Sequence, residues 1–165
     1  MPSFFFRLLP ALPAAEKRAT QLVTLIASRR LSDRALAYLD RATRLHLWGF
    51  DPECAIMCRS VLEAALVARL SDLLELDEPP PPLEQLLVLA GRNNLLPGYE
   101  VTANNRRGWR ARKGSLLADA DRIRWIGNQL VHDLPQLTAS SGDVDGAASA
   151  VEKLTRVLDH LFPTP

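Results

Sequence analysis

"DPECAIMCRSVLEAALVARLSDLLEL", residues 51–76, is the stretch whose reading decides the fold. Ile56, Val61, Leu62, Ala65, Leu66, Leu70, Leu73 and Leu74 recur at helical spacing and make a wide apolar stripe. Asp51 is expected to cap this helix, with Pro52 at its first position, where a missing N–H costs nothing. The "DEPPPP" of residues 77–82 ends it, because a proline run cannot continue a helix and reads instead as a stiff connector.

The elements on either side follow the same period. Upstream, Ser32 offers an N-cap to "DRALAYLDRATRLHLWG", whose Ala35, Leu36, Leu39, Ala42 and Leu45 recur at three and four, and Gly49 fits the stop. Pro10 and Pro13 set off a short apolar lead, after which a helix is expected over 14–28 with Leu22, Leu25 and Ile26 on one face. Downstream, "LEQLLVLAGRNNLLPG" reads as a helix ending near 93–97. Residues 98–114 lack periodicity, and a helix over 115–134 is expected to stop at Pro135. After the loop "TASSGDVDG", Asp143 or Asp145 would cap a last helix carrying Val151, Leu154, Val157, Leu158 and Leu161. There is no internal repeat and no strand signal. The expectation is an all-α bundle of five or six helices at 31–165, preceded by an N-terminal extension (1–30) with one helix.

Composition agrees. The 165 residues suffice for one ordinary domain, and 47% apolar with 24% charged side chains is a globular balance. Aromatic residues make up 6%. Leucine, alanine and arginine outweigh the β-branched residues, which favours helices. A net charge of +1 excludes a polyanion-binding signature over the whole chain, yet residues 101–115 hold five basic and no acidic side chains. Cys54 and Cys58, four apart on the central helix, exclude a disulfide framework and suit a reducing cytosol as two small buried side chains. Zinc would need distant histidines such as His46 and His132, so neither metal nor cofactor is expected. "MPSFFFRLLPALPA" lacks the basic start of a signal peptide and is interrupted by Arg7, and no stretch reaches the length of a membrane span. A cytoplasmic protein without membrane contact is expected.

"RIRWIGNQLVHD", residues 122–133, carries the most pointed chemistry. Ile123, Ile126, Leu130 and Leu134 share one helical face. Arg124, Asn128 and His132 stand at i, i+4 and i+8, a stripe that drifts only about 40° per step. Gly127 lies between the two, and a mid-helix glycine, which costs about 1 kcal/mol against alanine, is tolerable where another backbone or a ligand comes close. The polar stripe reads as a working edge.

Here the chain resembles a family. "ALAYLDRATRLHLWGFDPECAIMCRSVLEAAL" is similar to the paired helices of HEPN-type domains (higher eukaryote and prokaryote nucleotide-binding), with Arg59 and Glu63 as the Arg-x-x-x-Glu pair. "RIRWIGNQLVHD" is similar to the arginine–glycine–asparagine–histidine helix of a prokaryotic HEPN-like group of unknown function. The resemblance covers roughly residues 31–162. It implies an antiparallel bundle, a homodimer, and, in ribonuclease members, an arginine, a polar residue after it and a histidine four further on, lining a cleft between subunits. Asn128 and His132 match the last two, Gly127 stands at the arginine position, and Arg124 lies one turn back. Metal-independent RNA cleavage would then use His132 as general acid or base, Asn128 to orient the substrate and Arg124 to neutralise developing charge. The bland counterparts are a histidine bonding helix-end carbonyls, an asparagine cross-linking two helices, and an Arg59–Glu63 pair within one helix.

The loop "NNRRGWRARKG" sets Arg106, Arg107, Arg110, Arg112 and Lys113 around Trp109, which suits phosphate contacts with base stacking, or else an exposed loop whose Trp109 tucks against the bundle. Three functions compete. One is a non-catalytic HEPN-like module binding RNA, a nucleotide or a protein partner from a neighbouring gene, in a prokaryotic defence or toxin–antitoxin setting. The second is a ribonuclease of the same fold, and the third a structural helical adaptor.

Overall fold

The computed structural model describes residues 31–103, 105–137 and 144–163, together with Glu16, Arg18 and Ala19; side chains are not described over 132–148. Its elements are α1 (Asp33–Trp48), α2 (Asp51–Ser71), α3 (Leu83–Arg92), β1 (Tyr99–Val101), β2 (Trp109–Ala111), α4 (Leu116–Leu137) and α5 (Val144–Leu161). The protein is a helical bundle built around α2, which packs against α1, α3, α4 and α5, while α4 also packs on α3 and α5.

The central position of α2 follows from its composition. Cys54, Ala55, Cys58, Val61, Leu62, Ala64, Ala65, Leu66 and Leu70 are all buried, so three faces of the helix are apolar. Leu62, Leu66 and Leu70 meet a core that includes Leu86, Ile123 and Leu158. Fully burying a leucine side chain contributes about 1.5–3 kcal/mol of transfer free energy.

α1 begins and ends where its sequence signals stand. The Ser32 hydroxyl accepts the Ala35 N–H at 3.3 Å, and Gly49 closes the helix in the left-handed conformation at φ 78°. Its buried face is Ala35, Leu39, Ala42 and His46, so the expected membership shifts: Leu36 is 44% exposed and His46 takes a core position.

Several expected boundaries move. Asp51 does not cap α2. The Phe50 N–H returns to the Leu45 carbonyl, so two residues complete the reversal and Asp51 is already helical, with Phe50 at the cap position. The Asp51 carboxylate instead pairs with Arg18 at 3.1 Å, and the same guanidinium donates to the His46 carbonyl at 2.8 Å. This is the described anchor of the N-terminal extension; the remainder of the helix expected over 14–28 lies outside the described residues. α2 ends at Ser71, before the prolines, because the Leu73 and Leu74 N–H groups both turn back to the Leu70 carbonyl; Leu73 is then left 56% exposed. α4 runs through Pro135 to Leu137, so the proline lies inside the last turn and does not end the helix. Asp145 lies inside α5, and the alternative cap, Asp143, lies outside the described residues.

A two-stranded sheet interrupts the expected all-helical pattern. β1 and β2 pair antiparallel with Tyr99 opposite Ala111, Glu100 opposite Arg110 and Val101 opposite Trp109. The Glu100–Arg110 ion pair at 2.7 Å ties the strands across one face. The connecting turn is closed by Asn105, whose amide nitrogen donates to the Trp109 carbonyl and whose oxygen accepts the Arg107 N–H. Gly108 sits at φ 69°. No helix among the described residues is long and apolar enough to cross a membrane.

Candidate functional site

The hairpin is bolted to the bundle by its aromatic residues. Trp109 is 4% exposed and stacks on Tyr99 with ring centres 5.9 Å apart. Tyr99 in turn lies against α3 where Gly91 has no side chain: a Cβ there would come within 2.8 Å of the Tyr99 ring. Of the two readings of this tryptophan, the structure has the tucked one, so Trp109 forms part of the wall and does not offer a free face.

Charge then links the hairpin to two helices. Arg107 reaches Glu84 of α3 at 3.0 Å and Asp121 of α4 at 3.1 Å, while its guanidinium lies 5.7 Å over the Trp109 ring. Asp121 also accepts from Arg124 at 2.8 Å. Arg124, whose side chain is only 8% exposed, thus belongs to a network of alternating charge joining α3, α4 and the hairpin.

Beside this network a surface cavity of about 640 Å³ opens between the hairpin and α4. Arg106, Arg107 and Arg110 line it from the hairpin, and Asp121, Arg122 and Trp125 from the helix. Four arginines against one aspartate give the walls a positive balance. Arg106 and Arg122 form no ion pair among the described residues, whereas Arg107 and Arg110 do. Trp125 is 44% exposed and carries the Arg122 guanidinium 4.2 Å over its ring.

The structure therefore brings together a different set from the one expected. Arg106, Arg107 and Arg110 of the basic segment line the cavity with Asp121, Arg122 and Trp125 of α4, and Arg107 shares Asp121 and Glu84 with Arg124. Arg124 and Asn128 are not among the walls of the cavity, and the His132 side chain lies outside the described residues. Arg112 and Lys113 also stand outside the walls, and both are exposed. Sequence reasoning missed Arg122 and Trp125. A signal was present: Ala118, Asp121, Arg122 and Trp125 recur at three and four on a face that the apolar period leaves to solvent.

Gly127 also has a different neighbour from the one expected. A Cβ at this position would lie 2.8 Å from both Cβ and Cδ of Arg59, so the close approach is that of a side chain of α2 in the same chain. Arg59 and Glu63 form an i, i+4 ion pair at 3.5 Å, and the stem of Arg59 fills the space that Gly127 leaves.

Under the α1–α2 turn, Cys54 and Cys58 are free and buried as expected, and the Cys54 thiol lies 3.4 Å from the Ala42 carbonyl. The Cys58 thiol, assisted by His46, holds Cys54 down at about 6 against the opposing effect of burial, while Cys54 and burial push Cys58 well up. The described residues hold no group of three or more histidine, cysteine or carboxylate side chains able to bind a metal. Ultraviolet titration of thiolate absorbance should show one thiol ionising near pH 6, and Cys58→Ala should move that midpoint up towards the ordinary thiol value. Because the folded value is depressed, the unfolded chain holds the extra proton between the two values. Stability should rise with pH across that window and be lost as pH falls through 6. A first ionisation near 9 in the wild type would contradict the arrangement.

No protein-family model matches the chain, and no curated protein and no solved structure matches it either.

Proposed function

We propose that this chain is a non-catalytic, HEPN-like helical module that binds a phosphate-bearing ligand, RNA or a nucleotide, in the cavity between the hairpin and α4. The observation that carries this reading is the convergence of Arg106, Arg107, Arg110 and Arg122 on one cavity from two separate elements. Guanidinium groups remain charged at any physiological pH and meet phosphate oxygens in a bidentate fork. Arg107 and Arg110 also serve ion pairs within the chain, whereas Arg106 and Arg122 form none among the described residues and add uncompensated charge to the same walls. The setting suggested by the resemblance is a prokaryotic defence or toxin–antitoxin system, and a homodimer belongs to the same expectation. Exposed apolar side chains that could serve a dimer stand both at the α1–α2 turn, Trp48 and Phe50, and on α4, Trp125 and Val131.

The ribonuclease alternative asks Arg124 to neutralise charge on a scissile phosphate. Its guanidinium is engaged by Asp121 and Glu84 and nearly buried, which favours the binding role over the catalytic one. Purified protein incubated with total RNA in EDTA, beside a His132→Ala control, tests this. The expected result is retention of RNA on the protein, weakening steeply with salt, and no cleavage by either form. Cleavage that disappears in the His132→Ala protein would replace the binding reading with the catalytic one.

A further inference from the structure

We infer that the cavity takes an unpaired nucleobase of a single-stranded nucleic acid, stacked on the Trp125–Arg122 pair, with the neighbouring phosphates held by Arg106 and Arg110. This rests on the phosphate-binding reading above and goes further by naming the strand state and the recognition mode. Trp125 leaves 44% of its surface in water although it stands next to the buried Ile126 of α4. An indole so placed is an apolar surface whose described aromatic or cationic partner is the guanidinium lying 4.2 Å above it. Arginine and tryptophan both have flat faces on which a planar ring can stack, and every base has such a face. The other tryptophan in the wall cannot serve, because it is buried and already stacked on Tyr99.

The remaining wall chemistry says what is read and what is not. Asn105, the amide in the wall, has its nitrogen on the Trp109 carbonyl and its oxygen on the Arg107 N–H, so it does not offer a base edge a free donor–acceptor pair. Asp121 is engaged by Arg107 and Arg124. Recognition is therefore by stacking and charge, tolerant of base identity. A duplex keeps its bases paired and stacked within the helix and cannot supply one to Trp125. The volume, about 640 Å³, lies in the ordinary range for a small-ligand site and admits one base with its sugar and phosphate rather than a helix.

The test is fluorescence anisotropy on the full chain with three labelled probes: oligouridylate, an abasic strand of equal length and charge, and an RNA duplex. Oligouridylate should bind about five- to a hundredfold more tightly than the abasic strand, the range expected for one stacked base. Trp125→Ala should remove that difference, and Trp125→Phe should keep part of it; a thermal melt of each variant checks the fold. Equal binding of intact and abasic strands, a preference for the duplex, or an unaltered preference in Trp125→Ala would overturn the inference and leave the phosphate-binding reading intact. Failure of all three probes to bind at low salt would overturn both.

Discussion

Replacing Gly127 by leucine should destabilise the protein by about 3 kcal/mol, the upper end of what overpacking costs, and lower its melting temperature by roughly 6–12 °C. The Cβ alone would lie 2.8 Å from Cβ and Cδ of Arg59. Arg59 Cβ is fixed to the α2 backbone, so relief requires α2 and α4 to part, and these helices share the core that contains Leu62 and Ile123. Gly127→Ala makes a finer comparison. Its helix propensity gain of about 1 kcal/mol opposes the same clash, so the net loss should be small but real. Arg59→Ala in that background should restore part of it by removing Cγ and Cδ. Since both partners belong to one chain, none of these effects should vary with protein concentration. A Gly127→Leu protein that melts with the wild type, or whose loss of stability vanishes on dilution, would show that α2 does not approach α4 as described.

The same glycine shows how far sequence can be read. Periodicity marked it as a point of close approach between an apolar and a polar stripe, and Arg59 does come close there. What approaches depends on helix packing, which no local period encodes. Ser32 and Gly49 were legible because capping is local chemistry. The end of α2 was not, because Leu73 and Leu74 continue the apolar pattern while their N–H groups fold back to Leu70. Strands of three residues carry too few alternations to show a period, so the hairpin read as plain loop. The loop's charge was visible, but its partners were not: Glu84 and Asp121 lie far away in sequence and meet Arg107 only once α3 and α4 are packed. The candidate site moved for that reason. Arg124 was drawn into the network with Asp121, and the neighbouring face of the helix, with Arg122 and Trp125, was left to meet the arginines.

That division of labour among the arginines sets the second large effect. Changing Arg106, Arg110 and Arg122 together to alanine should weaken polyanion binding on the order of a hundredfold at moderate salt, since a hydrogen bond to a charged group contributes about 1.5–3 kcal/mol and the three are not fully additive. The log–log salt dependence should flatten by about 2, near 0.7 for each single-strand phosphate that the variant no longer neutralises. Arg107 is left out deliberately. With Glu84 and Asp121 on its guanidinium it holds α3, α4 and the hairpin together, and Arg107→Ala should lower the melting temperature instead of acting on binding alone. Arg112 and Lys113 make the internal control, for they carry the same charge in the same segment but stand outside the cavity walls. If diffuse charge alone attracts the ligand, removing these two should flatten the salt slope as much per charge as the triple change does. If the cavity binds it, the pair should shift binding several-fold at most, and the triple variant should lose nearly all of it, with only the small loss of stability that the exposed Arg110–Glu100 pair accounts for. A triple variant that keeps the wild-type slope would remove the cavity from the function altogether, because a ligand deprived of three phosphate partners cannot release the same number of counterions on binding.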